Sequence, residues 1–520
     1  MNKDLKDIKR ALISSRITQS AQRARDVDVD QEINPDILND KYEGLYSKTM
    51  THNVSTGLTD NSNIKELQIA LQSGKQSDFD DLNKSGDRKQ VSPQSALSIE
   101  LSGADPEGVT IPACFALNSR KAAAEMIELY EKCILRNTSF SVISGESLGS
   151  AQEESDLTRA VDNLNLFNED FEGAKEGSFV TRKTLFRGVG EKETVGPYVS
   201  QFLLLDVNIG SHVVNQLGLT KTGVYGITES NWLEIQNGNI PIPQTTSSDK
   251  KYIFNPAQLA SFVFDDLIYQ SFLYCAAILL DKNASTNSAF PEQPKEIAFA
   301  TNGGIAEIVT SIAEVSRHAL KAAWVQKWRK HLRLRPEAMA ARVVKEEDGI
   351  IDAGTVHPDI FTVGTSTISA VKSFNIISGG EGKAWLPLQY AEGSPAHPSF
   401  PSAHSVVAGA CATLLKIYFE DKSWSFLGEN PVQSLDGNSL TAYDNPDSNS
   451  MTIHGEINKL ASNVSIGRSF AGVNFRSDCD KGLKLGEKVA IQYFKDLRNM
   501  QNEDIEAVTI MQFDGIPIVI

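Results

Sequence analysis

Residues 301–342 read TNGGIAEIVTSIAEVSRHALKAAWVQKWRKHLRLRPEAMAAR. Ile305, Ile308, Ile312, Val315, Ala319 and Ala322 recur every three or four positions, the period of an α-helix that buries one face. The pattern predicts one helix continuing until Pro336 ends or kinks it, because proline lacks an N–H and crowds the preceding turn. The same period marks residues 122–135, a long stretch over 256–280, and the run from about 452 through Ile457, Leu460 and Val464. Only TIMQFDGIPIVI at 509–520 carries two short β-type runs, set around Asp514-Gly515 as in a hairpin. The chain is therefore read as mainly α, packed helical bundles with a short C-terminal β-hairpin.

A length of 520 residues and a hydrophobic share of 41% with 22% charged residues allow a large buried core. Three regions are expected. Residues 1–105 are polar, with short helices, mobile segments and oligomer contacts; 106–300 form a first helical bundle and 301–520 a second. GPY at 196–198 is read as another helix start, and 238–250 as a loop. The net charge of −16 excludes a general nucleic-acid binder, which needs a positive field, so any anion site has to be built locally. The greasiest stretch, LIYQSFLYCAAILL at 267–280, is too short and too polar for a membrane span and is read as a buried helix. No apolar signal segment opens the chain, so a cytoplasmic location is expected. Five scattered cysteines without a C-x-x-C pair argue against a disulfide or zinc framework.

Three polar clusters interrupt this pattern. In the first, Lys327 and Arg335 stand eight residues apart, about 80° of rotation on a helix at ~100° per residue, so both can reach a common point. Pro336 sets Arg335 at a helix boundary, where its planar fork suits a tetrahedral oxyanion. The second cluster is PAHPSFPSAHS at 395–405. Its prolines keep the chain extended, Ser402 is placed to cap a helix starting near Ala403, and free N–H groups at such a terminus attract anions. His404 lies in the first turn, and His397 seven residues earlier. The third cluster holds Arg468, Asn474 and Asp478; the first two share a helical face if the helix continues, or are separated if Gly472 ends it. Read singly, each cluster is as well explained by a solvated basic face, a capped helix or a surface salt bridge.

Together and in this order, the clusters resemble the vanadium-dependent haloperoxidase family, which is related to the type 2 phosphatidic acid phosphatases. That family's pattern is K-x(n)-R-P, then P-S-G-H, then S-R-x5-H-x3-D. Here it is matched by Lys327 to Arg335-Pro336, by Pro401-Ser402-Ala403-His404, and by Gly467-Arg468 through Asn474 to Asp478. TLFRG, VGPYVSQFLL and AEGSPAHPSFPS are similar to the algal and bacterial branch, so the likeness runs over roughly 110–520.

The resemblance implies helical bundles of the vanadium haloperoxidase and acid phosphatase type, a vanadate cofactor or phosphate in its place, hydrogen peroxide, halide and a small organic molecule as substrates, and a homo-oligomer. It implies that Lys327, Arg335 and Arg468 clamp the oxyanion, that Ser402 and the Ala403 N–H bind its oxygens, and that His404 is the acid–base residue. His397 resembles a second histidine of bromoperoxidases, and Trp324 a tryptophan of chloroperoxidases, so halide preference is not legible. Ala403 replaces the family's glycine, at about 1 kcal/mol if the backbone there needs a positive φ.

Asn474 stands where the family has the axial histidine that bonds the metal, and Asp478, which would orient that histidine, loses that task. Three readings follow from this departure. They are a haloperoxidase impaired by the loss, a metal-independent homologue using the same residues for acid–base chemistry such as an α-hydroxyketone rearrangement, and a non-catalytic binding protein.

Overall fold

The computed structural model describes residues 5–25, 32–100, 102–428 and 430–520; residues 1–4 and 26–31 of the polar N-terminal region lie outside it. Three of the helices form where the sequence supplies both an apolar face and a cap. Ser119 accepts from Ala122 N–H to start Arg120–Ile134, Asn255 precedes Pro256 and accepts from Gln258 N–H, and Thr452 starts Ile453–Phe470. Ala403–Tyr418 lies at the centre, buried along its length apart from half-buried His404, and packs against Ile305–Val325, Ile453–Phe470 and Arg476–Met500.

Two glycines on Arg476–Met500 and Ala403–Tyr418 allow the closest of these crossings. A Cβ at Gly409 would stand 2.1 Å from Leu483 O, and one at Gly486 would stand 2.0 Å from Val406 O. No side chain fits at either position without parting the helices.

One hydrophobic core extends from Ala104 to Ile520. A second, smaller core joins Leu45, Tyr46, Met50, Ile64, Leu67 and Leu71 to Trp328 and Leu332, so part of the polar N-terminal region packs directly on the turn that carries Lys327. Within that region Leu5–Arg25 runs 21 residues, longer than the short helices expected there. The expected C-terminal hairpin is present: Thr509–Met511 pairs antiparallel with Pro517–Val519, Ile510 opposite Ile518, across Gly515 at φ +78°.

Three expectations need correction, and two of the corrections shape the site. The stretch 256–280 is not one helix: Pro256–Asp265 and Gln270–Asp281 meet at 98°, because Asp266 adopts extended backbone and turns its carboxylate inward. The helix of 301–342 does not reach Pro336. After Ile305–Val325 it widens into a π turn over Gln326–His331, with Leu332 N–H bonded to Lys327 O at 2.8 Å, and stops at Leu332, whose φ is +43°. GPY starts no long helix; only a three-residue turn, Gln201–Leu203, follows it. Among the described residues no single helix is long and apolar enough to cross a membrane.

Candidate active site

The π turn rotates Lys327 inward, and the break at Leu332 lets Arg335 approach from a separate element, as the residue capping Pro336–Glu347. Their common reach therefore arises from a kinked chain and not from two turns of one helix. Both are buried, and both bond to carbonyls of the 397–399 strap. Arg335 Nε donates to His397 O at 2.7 Å, while Lys327 Nζ donates to Pro398 O at 2.7 Å and Ser399 O at 3.0 Å. Arg335 Nη1 also donates to Val473 O at 2.8 Å, tying the strap to the turn before Arg476–Met500.

Gly472, at φ +82°, ends the Ile453–Phe470 helix, so Arg468 and Asn474 do not share a helical face. They are nevertheless brought to the same region. Asn474 Nδ2 donates to Ser399 O at 3.0 Å, the carbonyl that also receives Lys327. Arg468 donates to Val263 O at 2.8 Å and lies over the Tyr390 ring at 5.6 Å. Its charge reaches Lys327, Arg335 and His397.

The electrostatics are unusual for a protein interior. Among the described residues Lys327, Arg335 and Arg468 form no ion pair, although they are 0%, 2% and 6% exposed. Burial, followed by the Arg335 guanidinium, holds the Lys327 ammonium well below the usual lysine range. Burial pushes Arg335 down to about 10. Asp478, the acid whose charge acts on both Lys327 and Arg335, is engaged elsewhere: Oδ1 accepts from Arg333 at 2.8 Å, and Oδ2 accepts from Phe475 N–H at 2.9 Å and from Asn474. Asp478 therefore keeps a structural task without any histidine to orient, correcting the expectation that its role was gone.

Ser402 precedes Ala403–Tyr418 as expected, but its hydroxyl makes no cap, while its N–H donates to Asp478 O at 2.8 Å. Ala403 occupies the first helical position without positive φ, so its methyl carries no backbone strain. His397 is buried, and its ring meets Trp324 at 5.2 Å. His397 Nδ1 lies 2.9 Å from Arg335 Nη2 and 3.1 Å from Pro398 O, so the ring is held between a guanidinium that donates and a carbonyl that accepts. Burial and then Lys327 hold His397 well below the usual histidine range, which keeps it neutral.

Two further residues were not found from sequence. Asp266 lies at the break between the two helices of 256–281, and its Oδ1 is 2.9 Å from His404 Nε2. Its signal was an acidic pair, Asp265-Asp266, inside an otherwise apolar helical stretch. Arg333, one of several basic residues in the 327–335 run, is buried and pairs with Glu125 and Asp478.

This arrangement can hold a tetrahedral oxyanion. Three buried cations without an ion pair among the described residues need an anion to offset them, and the strap that Lys327 and Arg335 hold leads directly into the N-terminus of helix Ala403–Tyr418. An imidazole–metal bond is a different matter. Asn474 offers an amide whose nitrogen is committed to Ser399 and Asp478, so it does not fit a bond to a metal as a histidine would.

Known proteins resemble this chain along most of its length. The model of the second helical-bundle domain of the vanadium chloroperoxidase type matches residues 308–503. A vanadium-dependent bromoperoxidase of Corallina pilulifera is 28% identical over 485 residues, covering 82% of this chain and 78% of that protein. One from Ascophyllum nodosum is 28% identical over 463 residues, covering 86% and 81%. Both relatives are vanadium-dependent haloperoxidases, the family that the sequence motifs resemble. The fold of this chain is that of a solved family structure, the homohexameric second vanadate-dependent bromoperoxidase of Ascophyllum nodosum, at a TM-score of 0.84 and 24% identity over 98% of this chain and 90% of that one.

Proposed function

We propose that this chain is a haloperoxidase-family enzyme that holds vanadate, or phosphate in its place, by charge and hydrogen bonds instead of an imidazole bond. With vanadate bound, it oxidises halide with hydrogen peroxide at reduced efficiency. The observation that carries this reading is the trio Lys327, Arg335 and Arg468, all buried and without a carboxylate partner among the described residues.

Bound vanadate would supply the transfer of oxygen from peroxide to halide. The chain's own residues bind and orient the oxyanion: Lys327, Arg335 and Arg468 through charge, Ser402 through its hydroxyl, and Ala403 through its N–H. His404 moves a proton at Nδ1, since Nε2 faces Asp266. His397 and Trp324 close one side of the bowl. In keeping with the homohexameric relative, the chain is expected to assemble as a homo-oligomer.

The test is peroxide-dependent bromination of monochlorodimedone by the full chain titrated with vanadate. Activity that rises and saturates with vanadate is the expected result; none at millimolar vanadate overturns the reading.

One observation favours a second reading. The His404–Asp266 pair is acid–base machinery made of the chain's own side chains, and it supports acid–base chemistry on an enolisable ketone. That reading predicts turnover that survives vanadate removal and disappears in His404→Ala.

A further inference from the structure

Asn474 is fixed in one amide orientation, and that orientation selects among oxyanions. Its Nδ2 has two hydrogens and two acceptors, Ser399 O at 3.0 Å and Asp478 Oδ2 at 3.1 Å. Neither acceptor can reverse its role. A peptide carbonyl has no hydrogen to give, and Asp478 also accepts from Arg333 and from Phe475 N–H. A flipped amide would set Oδ1 against two acceptor oxygens, so the nitrogen must face them.

Asn474 Oδ1 is then a pure acceptor, and among the described residues no donor reaches it. Its surroundings are donors of charge. Lys327 Nζ shares the Ser399 carbonyl with the amide, and Arg335 Nη1 holds the carbonyl of Val473, the preceding residue. An acceptor oxygen thus belongs to a residue whose amide shares a carbonyl with one buried cation and adjoins the carbonyl held by another.

We propose that Asn474 makes the bowl select tetrahedral oxyanions that carry a hydrogen, such as hydrogen phosphate and hydrogen vanadate, over proton-free ions of the same shape such as sulfate. The hydroxyl of a hydrogen oxyanion donates to Asn474 Oδ1, while its remaining oxygens accept from Lys327, Arg335 and Arg468. Sulfate has no hydrogen to donate and turns an oxygen lone pair toward Oδ1. An axial histidine bonded to the metal has no free acceptor at this position, so this preference belongs to the asparagine. The inference rests on the reading that the bowl binds an oxyanion, and it adds which kind.

The test is calorimetric titration of the full chain with phosphate and with sulfate at matched ionic strength and neutral pH, repeated with Asn474→Ala. Phosphate is expected to bind at least about tenfold more tightly than sulfate, because sulfate leaves a polar acceptor unpaired. In Asn474→Ala the two affinities are expected to converge. Arsenate against selenate repeats the comparison on a second matched pair and needs no variant. Equal binding of phosphate and sulfate by the natural chain overturns the proposal, and a preference unchanged in Asn474→Ala overturns its assignment to this residue. Binding of none of the four ions overturns the oxyanion reading itself.

Discussion

Nε2 of His404 lies 2.9 Å from Oδ1 of Asp266, a residue whose side chain is buried and whose extended backbone breaks an otherwise continuous helix. The contact fixes the ring and directs Nδ1 away from the aspartate, so one nitrogen is held and the other left to exchange a proton. His404→Ala is expected to lower turnover by about 10²- to 10⁴-fold, the usual contribution of a general acid–base group. Asp266→Asn should lower it less and displace the pH–rate profile, with oxyanion affinity unchanged. An Asp266→Asn variant with the parental pH profile would show that the pair does not tune the proton transfer.

Lys327, Arg335 and Arg468 have no counter-ion among the described residues. Each charge-assisted hydrogen bond to an oxyanion is worth about 1.5–3 kcal/mol. Lys327→Ala, Arg335→Gln and Arg468→Gln should therefore each weaken phosphate binding by roughly ten- to a hundredfold. Arg329→Gln serves as the control, since Arg329 is half-buried in the same basic run and pairs with Glu107 outside the bowl. Titration calorimetry on the four variants checks this; equal losses in all four would mean that net charge and not the bowl governs binding.

Burial and the neighbouring Arg335 hold Lys327 below the lysine range, so its proton is weakly held before an anion arrives. A bound oxyanion stabilises the ammonium and raises its affinity for that proton. Binding is then coupled to proton uptake, and affinity falls as pH rises toward the ordinary value of 10.5. The measurement is the binding enthalpy in two buffers of different ionisation enthalpy. A difference that corresponds to proton uptake in the natural chain and vanishes in Lys327→Met is expected.

Most of the helices and all three clusters were legible in the sequence. Long apolar periods with clear caps, as at Ser119, Asn255 and Thr452, leave few alternatives, and charged residues set in such periods stand out. What was not legible depended on backbone that breaks its own period. The π turn over Gln326–His331 shifts the helical phase, so counting residues could not sort the basic run. Arg333 goes inside to Glu125 and Asp478, whereas Arg329 and Lys330 remain partly exposed. Asp266 was hidden for the same reason: an unbroken helix reading left its carboxylate no partner, and only the 98° bend supplies one. The long-range partners of Asp478 were likewise beyond any local pattern.

Acid stability follows from histidines buried in their neutral form. Burial lowers His331 to about 3 and His52 and His454 to about 4, against 6.5 for an exposed ring. Each contributes stability that is fully present above pH 6.5 and is lost as pH falls toward its folded value, because the unfolded chain takes up the proton first. Glu193, whose buried carboxyl is pushed up to about 7, acts in the opposite sense between its usual 4.5 and that value. His318 and His397, also lowered by burial, act with these three, and carboxyls raised by burial such as Glu125, Glu307 and Glu487 act with Glu193; with the histidines governing, the melting temperature should fall from pH 6.5 to 4. Glu193→Gln should make that fall steeper. A melting temperature flat across this interval would mean that these rings are protonated in the folded chain.

The most direct measurement compares vanadate and phosphate affinity in the natural chain and in Asn474→His. The natural chain is predicted to bind both ions saturably with similar affinity, because charge and hydrogen bonds treat them alike. Asn474→His is predicted to bind vanadate far more tightly than phosphate, because an imidazole bond forms with the metal alone. A natural chain that binds neither ion at millimolar concentration, or an Asn474→His variant with no gain for vanadate, contradicts a cationic bowl built around the axial position.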